Sequence, residues 1–260
     1  MKVQFIGTGV AGALNNWQTN ALITFDSGDK LLIDCGGDGR HAMRAAGVKP
    51  SEINNVYISH LHGDHCGGLE DFGFATYFDP KCRKPNLYIS RALVSDLWNN
   101  VLSGGMSTLQ NEVNSLETYY DVHPVEKNGG FVIDGVSFTL VQVMHIMSGF
   151  TFMLSFGLMA MMPTGKKIFF TTDTQFAPAQ IMDFYRSADV IFHDCECYSG
   201  FKSGVHAHFD DLATLSPEIK AKMHMVHYPD LVVDNWDDWA RKAQEAGFAE
   251  FVPTNKVYEF

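Results

Sequence analysis

The stretch Val56-Tyr57-Ile58-Ser59-His60-Leu61-His62-Gly63-Asp64-His65 decides the reading of this chain. A short run with strand propensity ends in a segment that carries four metal-ligating side chains within six positions. His60 and His62 can converge on one metal from a turn, and Asp64 and His65 follow closely enough to serve a second. Gly67-Gly68 lets the backbone turn tightly behind them. At this chain's own His and Asp frequencies such a pattern arises in roughly one or two chains per thousand, so a solvated polar loop accounts for it poorly.

Two metals need more ligands than this loop offers, which directs attention to other strand ends. His145 ends a run in which Phe138, Leu140, Gln142 and Met144 face one side while Thr139, Val141, Val143 and His145 face the other. Asp173 follows Ile168 to Thr172, His193-Asp194 follows Asp189 to Phe192, and His227 follows Met223 to Val226. Each lies where an apolar strand turns polar, and ligands of open α/β sheets gather at the carboxyl ends of strands. His41 between Arg40 and Arg44, His123 before Pro124, and His224 on the opposite face from His227 read as structural residues. Cys66 reads as a small buried side chain.

The remaining elements fit one α/β domain over residues 1–260, with mixed sheets in two similar halves. Strands are expected at Val3–Ile6, Ala21–Phe25, Leu31–Ile33, Asn55–Ser59, Lys167–Thr172, Asp189–Phe192 and Lys222–Val226. A helix is expected from Gly39 to Ala46, a partly helical stretch from Gly67 to Phe78, and helix and loop from Leu93 to Thr118 with Gly104-Gly105 as a break. The last helix is expected to start at Asp234 as N-cap, to bury a stripe of Trp236, Trp239, Ala240 and Ala243, and to stop at Gly247.

Composition narrows the function classes. Apolar residues make up 46% and charged residues 19% of the 260, an ordinary globular balance. The formal charge of −11, with no Lys/Arg block, opposes an extended nucleic-acid surface. Five scattered cysteines imply no disulfide framework and suit a reducing cytoplasm; Cys195-x-Cys197 is too closely spaced for the CxxC patterns. The N-terminus has no signal-peptide layout. Ile146 to Met162 is uncharged, but it is too short for a membrane span and is interrupted by Ser148, Gly149, Thr151, Ser155 and Gly157. It reads as a buried strand ahead of the turn Pro163-Thr164-Gly165-Lys166, and no membrane partner is expected.

His60 to His65 resembles the HxHxDH signature of metallo-β-lactamase-fold hydrolases, and Leu31-Leu32-Ile33-Asp34-Cys35-Gly36 resembles the strand and turn that precede it. The order Asp34, HxHxDH, His145, Asp173, His193-Asp194, His206, His227 is similar to the phosphodiesterase branch typified by ribonuclease Z, across almost the whole chain. The resemblance implies an αβ/βα sandwich, two mixed sheets flanked by helices. It also implies two zinc ions, manganese or iron being the alternatives for such ligands. His60, His62, His145 and Asp173 would hold one, and Asp64, His65, Asp173 and His227 the other, with Asp64 also counted in the catalytic machinery. Asp34 and Ser59 would support the histidine loop, with His193 and His208 as further supporting residues. His206 would be the catalytic histidine, oriented by Asp194. Here the sequence departs from the ribonuclease pattern: Ala207 follows His206, and His208, standing where a hydroxyl residue is usual, is a competing candidate or a helix-start residue.

The segments Gly67–Phe78, Ile191–Glu196 and Phe201–His208 look like those of the phage anti-Pycsar phosphodiesterases and their bacterial relatives. That resemblance implies a homodimer that hydrolyses cyclic 3′,5′-nucleotides to monophosphates and blunts an immune signal, in the host cytoplasm if phage-encoded. Phe74, Tyr77 and Phe150 would then be placed to stack on a base, core packing being their plainer role. Ser103–Met106 or Tyr119-Tyr120 is expected at the dimer contact. The alternatives are a ribonuclease Z-like tRNA 3′-processing endonuclease and a hydrolase of a non-phosphate ester. The first is opposed by charge and by the lack of a Gly/Pro- and Lys-rich arm, the second by His206 with Asp194 behind it.

Overall fold

The computed structural model describes residues 1–260 and divides into two compact units. The first comprises Met1–Gly7, Trp17–Lys127 and Thr254–Phe260; the second comprises Thr8–Asn16 and Asn128–Pro253.

The first unit is built on strands β1 (Lys2–Gly7), β2 (Asn20–Thr24), β3 (Lys30–Ile33), β4 (Asn55–Ile58) and β5 (Asn86–Ser90). A small hairpin of β6 (Thr108–Leu109) and β7 (Glu112–Val113) stands apart from the main sheet, which β8 (Asp121–Val125) and the C-terminal strand β16 (Val257–Glu259) complete. The order is β16-β1-β2-β3-β4-β5-β8. From β16 to β3 the pairings are antiparallel; from β3 to β8 they are parallel. Parallel neighbours need long crossovers, which helices fill. The helices are α1 (Gly39–Ala45), α2 (Gly63–Cys66), α3 (Leu69–Tyr77), α4 (Arg91–Asp96), α5 (Ser103–Met106) and α6 (Leu116–Tyr119). Every residue of β4 is buried, as an interior parallel strand requires.

Gly104-Gly105 does not break the helical segment, which runs from α4 through Leu97–Leu102 into α5. A Cβ on Gly105 would lie 2.3 Å from the Glu70 carboxylate, so the glycine answers to packing rather than to a turn. Met106, Tyr119 and Tyr120 are buried. Tyr119 donates its hydroxyl to the Met106 carbonyl at 2.7 Å and Tyr120 donates to that of Leu69 at 2.5 Å. These tyrosines serve the interior and do not offer the contact surface expected from sequence.

The second unit repeats the plan with β9 (Gly130–Ile133), β10 (Val136–Ser148), β11 (Thr151–Met161), β12 (Lys167–Phe170), β13 (Val190–Asp194), β14 (Met223–Val226) and β15 (Glu250–Phe251). Its order is β15-β14-β13-β12-β11-β10-β9, antiparallel from β9 to β12 and parallel from β12 to β15. The helices are α7 (Pro178–Ser187), α8 (Phe209–Leu212), α9 (Pro217–Lys220), α10 (Asp230–Asp234) and α11 (Trp236–Ala246). Ile181, Tyr185, Phe169, Ile191, Met225 and Phe251 belong to one buried apolar cluster. Each such side chain contributes roughly 1.5–3 kcal/mol on burial.

Three expectations need correction here. Ile146 to Met162 is not one buried strand. The chain reverses at Gly149-Phe150, and the hairpin tip is exposed, Phe150 completely so. Gly149 takes the positive φ of 60° that the turn needs. Asp234 is the last residue of α10, and the N-cap of α11 is Asn235. Ala240 is exposed; the packed face of α11 is Trp236, Trp239, Ala243 and Ala246, a spacing of 3-4-3 that keeps one stripe inward. No helix is long and apolar enough to cross a membrane.

Candidate metal centre

In the first unit, β3 and β4 end side by side, and the residues just beyond them build one cluster. Asp34 leaves β3 with φ at 62°, a left-handed conformation that costs a non-glycine residue free energy and recurs at functional positions. One carboxylate oxygen accepts the Ser59 amide at 2.8 Å. The other accepts the Ser59 hydroxyl and lies 2.8 Å from His65 Nδ1. With Nδ1–H donated to Asp34, His65 keeps a lone pair on Nε2, which lies 3.3 Å from Asp64 Oδ2. Ser59 Oγ sits 3.0 Å from His60 Nδ1. His60 Nε2 and His62 Nδ1 face each other at 3.0 Å. Two imidazole nitrogens converging in this way are the arrangement a shared cation satisfies.

Backbone contact holds this loop in place. Cys35 N donates to His65 O, Gly37 N to Gly63 O and Gly68 N to Cys35 O, at 2.8, 3.1 and 2.9 Å. A Cβ on Gly36 would lie 2.4 Å from Asp64 O, and one on Gly68 only 2.2 Å from Gly36 O, so glycine lets the two turns touch. Asn20 secures the first turn by accepting the Gly36 amide at 2.9 Å, a role nothing in the sequence pattern signals. Burial pushes the Cys66 thiol up to about 12, which leaves it an inert side chain beside the cluster.

In the second unit the donors come from four strands. His145 sits within β10 at a register shift between Met144 and Ile146, so the strand continues beyond it to Ser148 instead of ending there. Its Nδ1 donates to Val205 O at 2.8 Å, leaving the Nε2 lone pair 3.8 Å from Asp173 Oδ2. Burial lowers the His145 pKa and Asp173 opposes that, with burial prevailing. Beyond β12, Thr172 takes φ 53° and redirects Asp173; beyond β14, His227 takes φ 56°. His227 Nε2 is 3.4 Å from Asp173 Oδ1 and its Nδ1 is 3.3 Å from Asp194 Oδ1. The ligand atoms of Asp173, Asp194, His206 and His227 all lie within 4.8 Å of one another.

Asp194 is pinned on every side. Its amide donates to Thr171 Oγ1 at 3.1 Å, and one carboxylate oxygen accepts from the Thr174 amide at 3.0 Å and from His206 Nδ1 at 2.7 Å. Burial alone would raise its pKa, but His206 and the bonds from His206 and His227 bring it below the usual carboxylate range. Burial in turn pulls His206 down, yet the Asp194 carboxylate outweighs it and holds the imidazole above its ordinary value. His206 keeps 18% of its side chain exposed, while the carboxylates behind it are closed off. The threonines of Thr171-Thr172-Asp173-Thr174 were visible only as a polar run after an apolar strand.

Other candidates sit elsewhere. His193 points away from this cluster: its ring nitrogens meet the Tyr185 hydroxyl and its neighbour's carbonyl. His208 is the N-cap of α8, with Nδ1 accepting from the Asp210 amide at 3.2 Å and Nε2 donating to Tyr198 O at 2.9 Å. Both its nitrogens are committed to backbone groups, as suits a helix-start residue. His41 is exposed, His123 bonds Asn86 and His224 bonds Glu250. Phe74 packs edge-on against Tyr119, and the Tyr77 hydroxyl bonds Glu112 at 3.3 Å.

Most of the donors are buried imidazoles and carboxylates, and Ser59, Asp34, Val205 and Asp194 meet the outer nitrogens of His60, His65, His145 and His206, a chemistry that fits zinc, manganese or iron. Two mixed sheets flanked by helices, with such donors at their strand ends, define a metallo-β-lactamase fold. YhfI from Bacillus subtilis, described as a metallo-beta-lactamase fold protein, aligns over 100% of this chain and 98% of its own at a TM-score of 0.74 and 17% identity. The short form of human tRNase Z aligns over 100% and 99% at 0.71 and 17%. The sequence profile of the family described as "Anti-Pycsar protein Apyc1" matches residues 1–258, and the chain belongs to that family. A relative of that description from Paenibacillus harenae is 34% identical over 89% of this chain and 91% of its own length. One from Bacillus phage vB_BveM-Goe7 is 29% identical over 96% and 95%.

Proposed function

We propose that this chain is a metal-dependent hydrolase, specifically a dinuclear-zinc phosphodiesterase that opens cyclic 3′,5′-nucleotides to nucleoside monophosphates. It acts as a cytoplasmic homodimer that counters cyclic-nucleotide immune signalling. The observation that carries this reading is the His206–Asp194 pair beside Asp173 and His227: a proton-donating imidazole set among metal-type donors. The anti-Pycsar description of the relatives supports a small cyclic nucleotide as substrate. The formal charge of −11 supports a small anion over a long one. The free cysteines suit a reducing cytoplasm.

The metallo-β-lactamase resemblance assigns His60, His62, His145 and Asp173 to one ion and Asp64, His65, Asp173 and His227 to the second, with Asp173 shared. When bound, such ions supply positive charge for the phosphate oxygens and acidify water near neutral pH. Asp34 fixes the tautomer of His65, and the Val205 carbonyl fixes that of His145. His206 has Nδ1 committed to Asp194, so Nε2 is the nitrogen that delivers a proton to the departing ester oxygen as its bond to phosphorus breaks. Asp194 keeps that ring protonated and aimed.

The test is a panel of cyclic mononucleotides, cyclic dinucleotides and pre-tRNA, with products resolved. Cyclic mononucleotides are expected to be cut preferentially, and bis(p-nitrophenyl) phosphate to be cleaved until EDTA removes the metal. Preferred cleavage of pre-tRNA would sink the small-substrate assignment, and metal-loaded protein inert towards every phosphodiester would sink the whole reading.

A further inference from the structure

Behind Asp194 lies a buried pair that the proposed chemistry does not use. Tyr185 on α7 and His193 on β13 are both fully buried. The Tyr185 hydroxyl is 2.5 Å from His193 Nε2, and His193 Nδ1 is 2.6 Å from the Asp194 carbonyl oxygen. The protons of this chain are determined by what each atom can do. A carbonyl oxygen only accepts, so His193 Nδ1 carries a hydrogen. Burial keeps both groups neutral, lowering the His193 pKa and raising that of Tyr185. A neutral imidazole protonated on Nδ1 has a lone pair on Nε2, so Tyr185 is the donor.

We propose that Tyr185 and His193 are positioning residues that set the main chain at Asp194 and, through it, the aim of His206. The pair completes the restraint of Asp194. Thr171 takes its amide, Thr174 and His206 take its carboxylate, and His193 takes its carbonyl. A carboxylate so held cannot follow a drifting imidazole; it imposes one orientation on it. Tyr185 fixes the tautomer of His193, since the hydroxyl occupies the nitrogen that would otherwise compete for the proton. The helix that packs this half of the sheet is thereby tied by hydrogen bonds to the proton-transfer pair.

This inference rests on the phosphodiesterase reading, and two variants of one residue test it separately from that reading. Asn at position 193 places an amide N–H near the old Nδ1 and keeps the bond to the Asp194 carbonyl; Gln places it near Nε2 and keeps only the link to Tyr185. His193→Asn is expected to retain kcat within about threefold, whereas His193→Gln loses about tenfold or more with KM little changed. Tyr185→Phe is expected to lower kcat several-fold and to broaden or shift the ¹⁵N signals of His193 away from the Nδ1–H tautomer. Ile181→Val, in the same helix and core but outside the chain, is the packing control and keeps wild-type kcat after a comparable loss of Tm. Equal kcat for the Asn and Gln variants, or an Nε2–H tautomer in the wild type, overturns the inference while leaving the hydrolase reading intact. A wild type inactive on phosphodiesters overturns that reading, and the tautomer measurement still decides the Tyr185–His193 geometry.

Discussion

In the first unit the metal-type side chains arrive together on one loop, Ser59 to His65, beyond β4, with Asp34 reaching across from β3. In the second unit they arrive from β10, β12, β13 and β14 and from the segment that ends at His206, far apart in sequence. The contrast separates two ways of building a polar cluster. The loop depends on local geometry: glycines that let turns touch, and one serine and one aspartate that set the rings. The strand-end cluster depends on register, because a slip of one residue in a parallel pair would carry Asp173 or Asp194 to the other face of the sheet. Both units use left-handed residues at the exits of their strands, at Asp34 in one and at Thr172 and His227 in the other.

Four substitutions probe that contrast, in decreasing order of effect. Asp173→Ala removes the carboxylate that faces both His145 and His227, and is expected to cost about a thousandfold or more in kcat/KM. Elemental analysis of the purified variant should show metal depleted; full metal content with wild-type turnover would break the proposal that Asp173 is a shared ligand. Asp34→Ala acts on the loop through its supports alone. A loss of about 10–100-fold in metal affinity is expected, read by competition with a chelator, and no loss would show that the loop holds its rings unaided.

Asp194→Asn sharpens the comparison through pH. Asp194 holds the His206 imidazole above its ordinary pKa, so removing the carboxylate charge lowers that pKa. The proton-donating form is then lost at lower pH, and the alkaline limb of the kcat profile should move towards acid. A limb that stays in place would assign the proton transfer to another group. Ala240→Lys is the smallest change: on the exposed face of α11 it should shift stability by less than about 0.5 kcal/mol by denaturant melts, and a larger loss would restore Ala240 to the buried stripe.

Much of this was legible in the residues themselves. The alternating apolar runs located most strands, because a half-buried strand must alternate and an interior one must be apolar throughout. The loop at His60–His65 was legible because its metal-type side chains are neighbours. The exposed hairpin tip at Phe150 was not, since an uncharged run does not say where it turns. Nor were the interior tyrosines: Tyr119 and Tyr120 resemble surface aromatics until their hydroxyls are seen to meet carbonyls of α5 and α3. The N-cap of α11 was misplaced by one residue because Asp234 and Asn235 are both good caps and only the preceding short helix chooses between them.

The amino-acid order alone determined which chemistry this chain carries, because imidazole, carboxylate and glycine at short spacing leave few other uses. Tertiary structure decided which distant residues share a cluster, which nitrogen of each ring meets a protein group, and which polar groups stand behind them. Those are matters of hydrogen-bond partner and strand register, and both are set by contacts between segments that the linear order does not specify.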